Sequence, residues 1–432
     1  MVALKSRLLK QGGVTAVFRA VSLVAGFIAA VVLARVLGIN GLGSYSAIIA
    51  VLTIFSLPLE FGLPALITRE VARGKAADNS GETKGLIRFS FGFIILCFPL
   101  LAGCALLAIS YAPWAGDITA TPLWWMMLPY VFFSGAGSIA AAFLSGRHLI
   151  ITAQFSGLVL RPLIFLSILW MWHSSPGQPL SSVSAVWAQT LATAIASSVC
   201  LILCFLHFYR SSNDAPPQYA ITAWIQAAWK LGLVNGIRRS QPQMLIYLLS
   251  LIGSLEAVGL LRVAQRGASL VAFGATVVTT TTMPYISSMI RGGDISQLQK
   301  VLHHSARLMS LWAGVCFIAA LLLGSLAIAV VFGQQYSQAY WPFILFCLVE
   351  LIKSYYGMTY VVLNMAGYEA TSLRLMAVNL VVSLIGTLLL APTYGALGCA
   401  IAFAVATCLA YVLASNRALA LVGVRTSLAL GR

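Results

Sequence analysis

The sequence predicts an all-α membrane protein with about twelve transmembrane helices in two six-helix lobes. Of 432 residues, 60% are apolar and 8% charged. A soluble domain carries about 25% charge, so a soluble globular surface could not be covered. Twenty-six Lys and Arg against ten Asp and Glu give a formal +16. These cations lie scattered between apolar runs, not clustered on one wet face, which excludes a nucleic-acid binder. The hydrophobicity equally excludes a disordered basic tail.

A helical span needs about 20 apolar residues. Twelve segments meet that demand: 14–37, 42–66, 86–111, 122–146, 152–173, 183–209, 228–252, 256–286, 305–332, 339–366, 370–391 and 394–418. The first run is too long for a signal-peptide core and no small-residue cleavage site follows it, so it reads as an uncleaved span. All eight cysteines fall inside apolar runs, without CxxC spacing, and read as small core- or lipid-facing hydrophobes.

Loop charge orients the chain. Lys5, Arg7 and Lys10 precede the first span, and Arg69, Arg73, Lys75, Lys84 and Arg88 fill the second connection. Later even-numbered connections carry Arg147, Arg210, Lys230, Arg291, Lys300, Arg307 and Arg374, and the tail carries Arg417, Arg425 and Arg432. The opposite connections are short and hold Asp117 and Glu256 but no Lys or Arg, and Pro176 and Pro179 mark one as a turn. Both termini are therefore expected in the cytoplasm, with no domain outside the membrane on either side.

A weak internal repeat divides the chain into an N-terminal lobe, 1–210, and a C-terminal lobe, 211–432. LGINGLGSYSA at 37–47 is echoed by IGSLEAVGLLRVA at 252–264, and LSG at 144–146 by MAG at 365–367. Six helices per half is an even number, so the repeats are parallel, related by an axis along the membrane normal.

Eight cations fall within or at the edges of spans: Arg19, Arg35, Arg161, Arg238, Arg239, Arg262, Arg266 and Lys353. Only two acids, Glu60 and Glu350, accompany them. A charge at the bilayer centre costs about 2.5–3.5 kcal/mol on insertion scales, so the set points to a water-filled cavity with a positive wall. Arg19 and Arg35 lie near span ends, where snorkelling competes with that reading. Arg238 and Arg239 are near the middle of span seven, and Arg161 near the middle of span five. Arg262 and Arg266, four residues apart, share one helix face and repel unless water or an anion lies beside them. Glu350 and Lys353 have the spacing of an intrahelical ion pair, with a coupling-ion site as the alternative. Glu60 sits in PLEFGLP between two prolines, where freed carbonyls and a carboxylate suit a cation or proton, or a structural role. No catalytic constellation, Gly-rich phosphate loop or metal cluster is visible, and no cofactor is expected.

ARVLGINGLGSYSA at 34–47, FGLPALITREVARG at 61–74, EAVGLLRVAQRGASL at 256–270, MPYIS at 283–287 and VFGQQYSQAYWPF at 331–343 occur in that order. Together they resemble the Wzx-type polysaccharide biosynthesis proteins, the lipid-linked oligosaccharide flippases of the MOP superfamily. The sequence departs from the family pattern at LLRV, 260–263, where an aromatic more often follows the glycine. It departs again at IRRSQPQ in span seven, in a region that often carries Asp. The resemblance implies a V-shaped MOP/MATE-like transporter in the bacterial inner membrane. It would move an undecaprenyl-diphosphate-linked glycan from the cytoplasmic to the periplasmic leaflet by alternating access. Membrane lipid, a polysaccharide polymerase and chain-length proteins are the implied partners, with H⁺ or Na⁺ as coupling ion. The cation set would be substrate-binding, and Glu60 and Glu350 ion-coupling. Arginine's rigid fork of donors suits a lipid diphosphate. A multidrug/cation antiporter of the same superfamily would be expected to favour buried acids. A lipid-II-type flippase would be expected to have extra helices, and a membrane polysaccharide polymerase needs a larger outer loop.

Overall fold

A computed structural model describes residues 2–60, 62–76, 80–113, 128–174, 180–210 and 216–428. Asp117, Pro176, Pro179 and Arg432 lie outside the described residues. Nearly all described residues are helical, with no strand among them. Among the described residues, seven helices are long and apolar enough to cross a membrane, and a pair bent by 47° at Gly357–Met358 makes an eighth. Their outward faces are apolar, as in Leu96, Leu100, Val315 and Leu322, all well exposed. Such a surface suits a hydrocarbon solvent and not water. The chain is a multi-pass membrane protein.

The chain forms two compact units, Met1–Ala29 with Ser44–Met244, and Ala30–Gly43 with Leu245–Arg432. The first contains most of α1 (Val2–Glu60), then α2 (Leu63–Ala76), α3 (Ser80–Ser110) and α4 (Pro129–Gly146). It continues through α5 (Ile150–Phe155), α6 (Arg161–Ser174), α7 (Ser182–Arg210) and most of α8 (Ile221–Ile252). Small residues let α4 approach its neighbours α2, α3 and α7. A Cβ on Gly137 would strike Ser197 of α7, and one on Gly146 would lie 2.7 Å from the Val71 Cβ of α2.

The second unit contains α9 (Leu255–Gly292), α10 (Ile295–Val331), a 3₁₀ turn at Gln334–Ala339, α11 (Tyr340–Tyr356), α12 (Thr359–Met365) and α13 (Glu369–Val422). Ser254 caps α9 by accepting from the Ala257 N–H at 3.1 Å, and Asp294 caps α10 by accepting from the Gln297 N–H at 3.0 Å. The core of one end is Ile286, Leu298, Leu302, Met309, Met358, Val362 and Val424. Val424 belongs to the segment after α13, which is held there by paired bonds between Gln299 and the Arg425 backbone, 2.6 and 2.8 Å. Thr426 meets Thr359 at 2.7 Å and the Leu428 N–H donates to the Tyr355 carbonyl at 2.9 Å.

The segment 30–43 of α1 belongs to this second unit. Arg35 donates through Nε to the Val331 carbonyl at 2.8 Å and through Nη2 to the Val330 carbonyl. Tyr336, fully buried, donates its hydroxyl to the Ala34 carbonyl at 2.9 Å. Gly43 lies against the Leu255 carbonyl and Gly259 against the Ile39 carbonyl, too close for a Cβ at either position.

Several expected span boundaries shift. Helix α1 runs through the expected first break and only kinks at Gly38, whose φ is 68°. Its second part ends at Glu60 rather than 66, because Gly62 takes φ 73° with Ala228 and Gly232 of α8 pressed on its Cα. The expected fifth span is interrupted by a π-turn at Ser156–Leu160, and the expected tenth breaks after Tyr356. The last two expected spans are one continuous element, α13, kinked at Gly395 (φ 54°).

The two turns matched in the sequence, after α4 and after α12, both close in a Schellman motif, a common cap that also ends α9 at Gly293. In the first, the Leu149 N–H donates to the Leu144 carbonyl (2.9 Å) and the His148 N–H to Ser145 (3.0 Å). In the second, Tyr368 donates to Leu363 (2.9 Å) and Gly367 to Asn364 (3.4 Å). The left-handed residue is His148 in one (φ 67°) and Gly367 in the other (φ 86°).

Candidate functional site

The embedded charges divide evenly. The first unit holds Arg19, Arg161, Arg238 and Arg239 with Glu60, and the second holds Arg35, Arg262, Arg266 and Lys353 with Glu350. Each unit thus holds four embedded cations to one acid, and that acid is bonded to a cation of its own unit.

In the first unit, Arg239 of α8 donates through Nη1 to Oε2 of Glu60, the last residue of α1. The Glu60 side chain is only 11% exposed, while that of Arg239 is 56% exposed. Ser138 of α4 bonds the same carboxylate, and the Arg161 charge acts on it. Three elements therefore converge on one buried acid. A carboxylate removed from water needs such partners. Arg239 is bound to the acid on one side and open on the other.

Arg161 opens α6 directly after the π-turn, its N–H bonded to the Ser156 carbonyl. A π-turn widens a helix and re-aims the residues after it, and such turns recur at functional sites. Arg238 is exposed, Arg19 half-buried. In the second unit, Lys353 donates from Nζ to Glu350 Oε1 at 2.7 Å within α11. Arg262 and Arg266 lie on α9, one turn apart and half-buried. Arg35 occupies the C-terminal carbonyls of α10, groups that have no partner inside their own helix.

Helices α8 and α9, which carry the two arginine pairs, are not among those apolar enough to count as spans. Helix α9 also carries TVVTTTT at 276–282, whose hydroxyls bond back to their own helix carbonyls, as in Thr279 to Ala275 at 2.7 Å. Sequence reasoning passed over this run, although its composition signals a polar stripe. It also missed Ser138, for which one serine among many gives no signal, and the π-turn, which Ser156–Gly157 marks only in retrospect.

The family described as "Polysaccharide biosynthesis protein" matches residues 8–290. No curated protein matches the chain. Among solved structures, an inward-facing multidrug resistance MATE family transporter of the MOP superfamily is similar with TM-score 0.71 at 13% identity, covering 94% of this chain and 99% of that one. The lipid II flippase MurJ, in an inward closed conformation, is similar with TM-score 0.71 at 12% identity, covering 93% and 86%. The MATE multidrug transporter DinF-BH gives TM-score 0.63 at 16% identity, covering 96% and 95%. At these identities the likeness shows a shared transporter fold and nothing about cargo.

Proposed function

The chain belongs to the polysaccharide biosynthesis protein family, and on that premise we propose that it is a flippase for an undecaprenyl-diphosphate-linked oligosaccharide. The glycan would pass from the cytoplasmic to the periplasmic leaflet of the bacterial inner membrane by alternating access, with both termini cytoplasmic. The observation that carries this reading is the embedded charge count, four cations to one acid in each unit. A diphosphate is a concentrated anion. One contact at 4 Å is worth about 4 kcal/mol at an effective dielectric near 20. The candidates to engage it are Arg161, Arg238, Arg239 and Arg19 in the first unit and Arg262 and Arg266 in the second. A cationic drug would be repelled by the same excess, which disfavours the antiporter reading that the fold alone leaves open.

Coupling to H⁺ or Na⁺ would act through Glu60, because releasing its carboxylate from Arg239 frees both a negative site and a phosphate-binding guanidinium. Glu350 offers the corresponding exchange with Lys353.

The test is deletion of the gene from its host. Lipid-linked repeat units should accumulate on the cytoplasmic side and surface polysaccharide should vanish, with both restored by the wild-type chain. Hypersensitivity to a cationic dye with unchanged polysaccharide would overturn the reading in favour of drug export.

A further inference from the structure

One end of the second unit contains a cavity of about 520 Å³, lined by residues from three separate connections. Ser254 and Glu256 come from the start of α9, Gln338 from the 3₁₀ turn, Trp341 from the start of α11, and Tyr394 from the kink of α13 at Gly395. Along α13 this end lies opposite the buried segment that follows Val422. Under the orientation proposed above it is the periplasmic end.

The lining has a definite chemistry. Two large rings, Trp341 and Tyr394, remain 62% and 60% exposed while facing a concave space. Trp341 is held in place: Tyr340 packs against it edge-on at 5.3 Å, and Tyr340 itself donates to the Leu321 carbonyl at 3.1 Å. Ser254 accepts the capping bond from Ala257, which fixes its oxygen and leaves its own proton to donate. Glu256 supplies an acceptor-only carboxylate, and Gln338 both donates and accepts. Among the described residues no lysine, arginine or histidine lines the cavity, so the lining is unsuited to the diphosphate.

We propose that this cavity is a saccharide-binding site that receives the sugar portion of the transported lipid on the release side. A pyranose presents an apolar face of C–H groups and a rim of hydroxyls. Flat rings cover such a face at little entropic cost, and a carboxylate, an amide and a hydroxyl answer the rim. The volume lies within the about 300–1,000 Å³ of small-molecule sites and suits a short glycan segment. An organic cation would also accept two rings and a carboxylate, but it has no use for Gln338 and Ser254. Aromatic side chains at a membrane interface often serve only as anchors; anchors would not be gathered round one cavity with three hydrogen-bonding groups.

The proposal rests on the flippase reading, and the test separates the two. The full-length protein in lipid nanodiscs is titrated with the water-soluble oligosaccharide released by mild acid from the host's own lipid carrier. Binding is followed by saturation-transfer NMR, with tetraphenylphosphonium and inorganic pyrophosphate as competitors. The wild type should bind the oligosaccharide. Trp341→Ala should weaken it about tenfold, with several-fold losses for Glu256→Gln and Gln338→Ala, whose exposed side chains can change without disturbing the fold. Neither competitor should displace it. If deletion makes lipid-linked units accumulate but the oligosaccharide does not bind, or binds all three variants as tightly as the wild type, the cavity assignment falls and the flippase reading stands. Displacement by tetraphenylphosphonium would make it a cation site. If deletion accumulates nothing, both fall together.

Discussion

Arg239 and Glu60, 179 residues apart in sequence, form an ion pair that joins α8 to the end of α1 within one unit. Removing either partner has unequal consequences. Arg239→Ala leaves a buried carboxylate without its counter-charge, and fully buried pairs lose about 3–5 kcal/mol on such a change. Arg239 is 56% exposed, so water compensates in part and the loss should fall below that range. The double variant Glu60→Gln/Arg239→Gln should recover most of it. Thermal unfolding in detergent checks this: strictly additive losses in a double-mutant cycle would contradict a coupled pair.

The same pair predicts a transport phenotype. Glu60→Gln should retain the fold but lose the dependence of glycan export on the ion gradient. Glu350→Gln, which neutralises the local pair on α11, tests whether the second unit contributes. Export measured in vesicles with and without an imposed H⁺ or Na⁺ gradient reads this directly. Unaltered gradient dependence in both variants would place coupling elsewhere.

His148 should be replaceable to advantage. It takes φ 67° in the Schellman turn after α4, where the same position is Gly293 after α9 and Gly367 after α12. A non-glycine residue in that region costs about 1–2 kcal/mol. His148→Gly is therefore expected to raise the unfolding temperature, and Gly367→His to lower it. A stable fold with the opposite ranking would show that the His148 side chain contributes more than its backbone costs.

Much of this molecule was legible in its sequence, for definite reasons. Uniformly apolar spans were legible because lipid is a uniform solvent, whereas α8 and α9, expected as spans seven and eight, are too polar to count among the seven or eight found in the described residues. The Glu350–Lys353 pair is three residues apart on one helix, a relation that spacing alone shows. The Glu60–Arg239 pair is not local, so nothing in PLEFGLP or IRRSQPQ announces it. The left-handed turn after α4 was not legible either, because it is taken by His148 and no glycine marks it. Arg35 shows the same gap: its charge near a span end was plain, but its partners, two carbonyls of α10, depend on how α1 packs.

Gly43 should tolerate no side chain. Its Cα faces the Leu255 carbonyl at the start of α9, so Gly43→Ala must push backbone against backbone. Overpacking of this kind typically costs about 1–3 kcal/mol. Gly259→Ala, against the Ile39 carbonyl, should behave alike, while Gly13→Ala, whose Cβ would meet nothing within 4 Å among the described residues, should not destabilise and gains helix propensity. Membrane-inserted yield and melting temperature rank the three, and equal values for all would refute this packing of 30–43.

Arg35 offers a test of which embedded cations serve the fold and which serve the proposed substrate. Its guanidinium covers the Val330 and Val331 carbonyls at the C-terminus of α10. A cation at such a terminus contributes about 0.3–1 kcal/mol, and up to ~2 in favourable geometry. Arg35→Lys keeps the charge but loses the fork that reaches two carbonyls at once, so it should destabilise by less than Arg35→Ala. Neither should change export per folded molecule. Arg262→Ala/Arg266→Ala should do the reverse, lowering surface polysaccharide at unchanged membrane level, since that pair lies within α9 and away from its ends. Export normalised to folded protein is the deciding measurement. If Arg35→Ala abolishes export from a protein that melts as the wild type does, Arg35 joins the substrate path. If the Arg262/Arg266 variant exports normally, the pair is structural and the phosphate-binding role rests on the first unit alone.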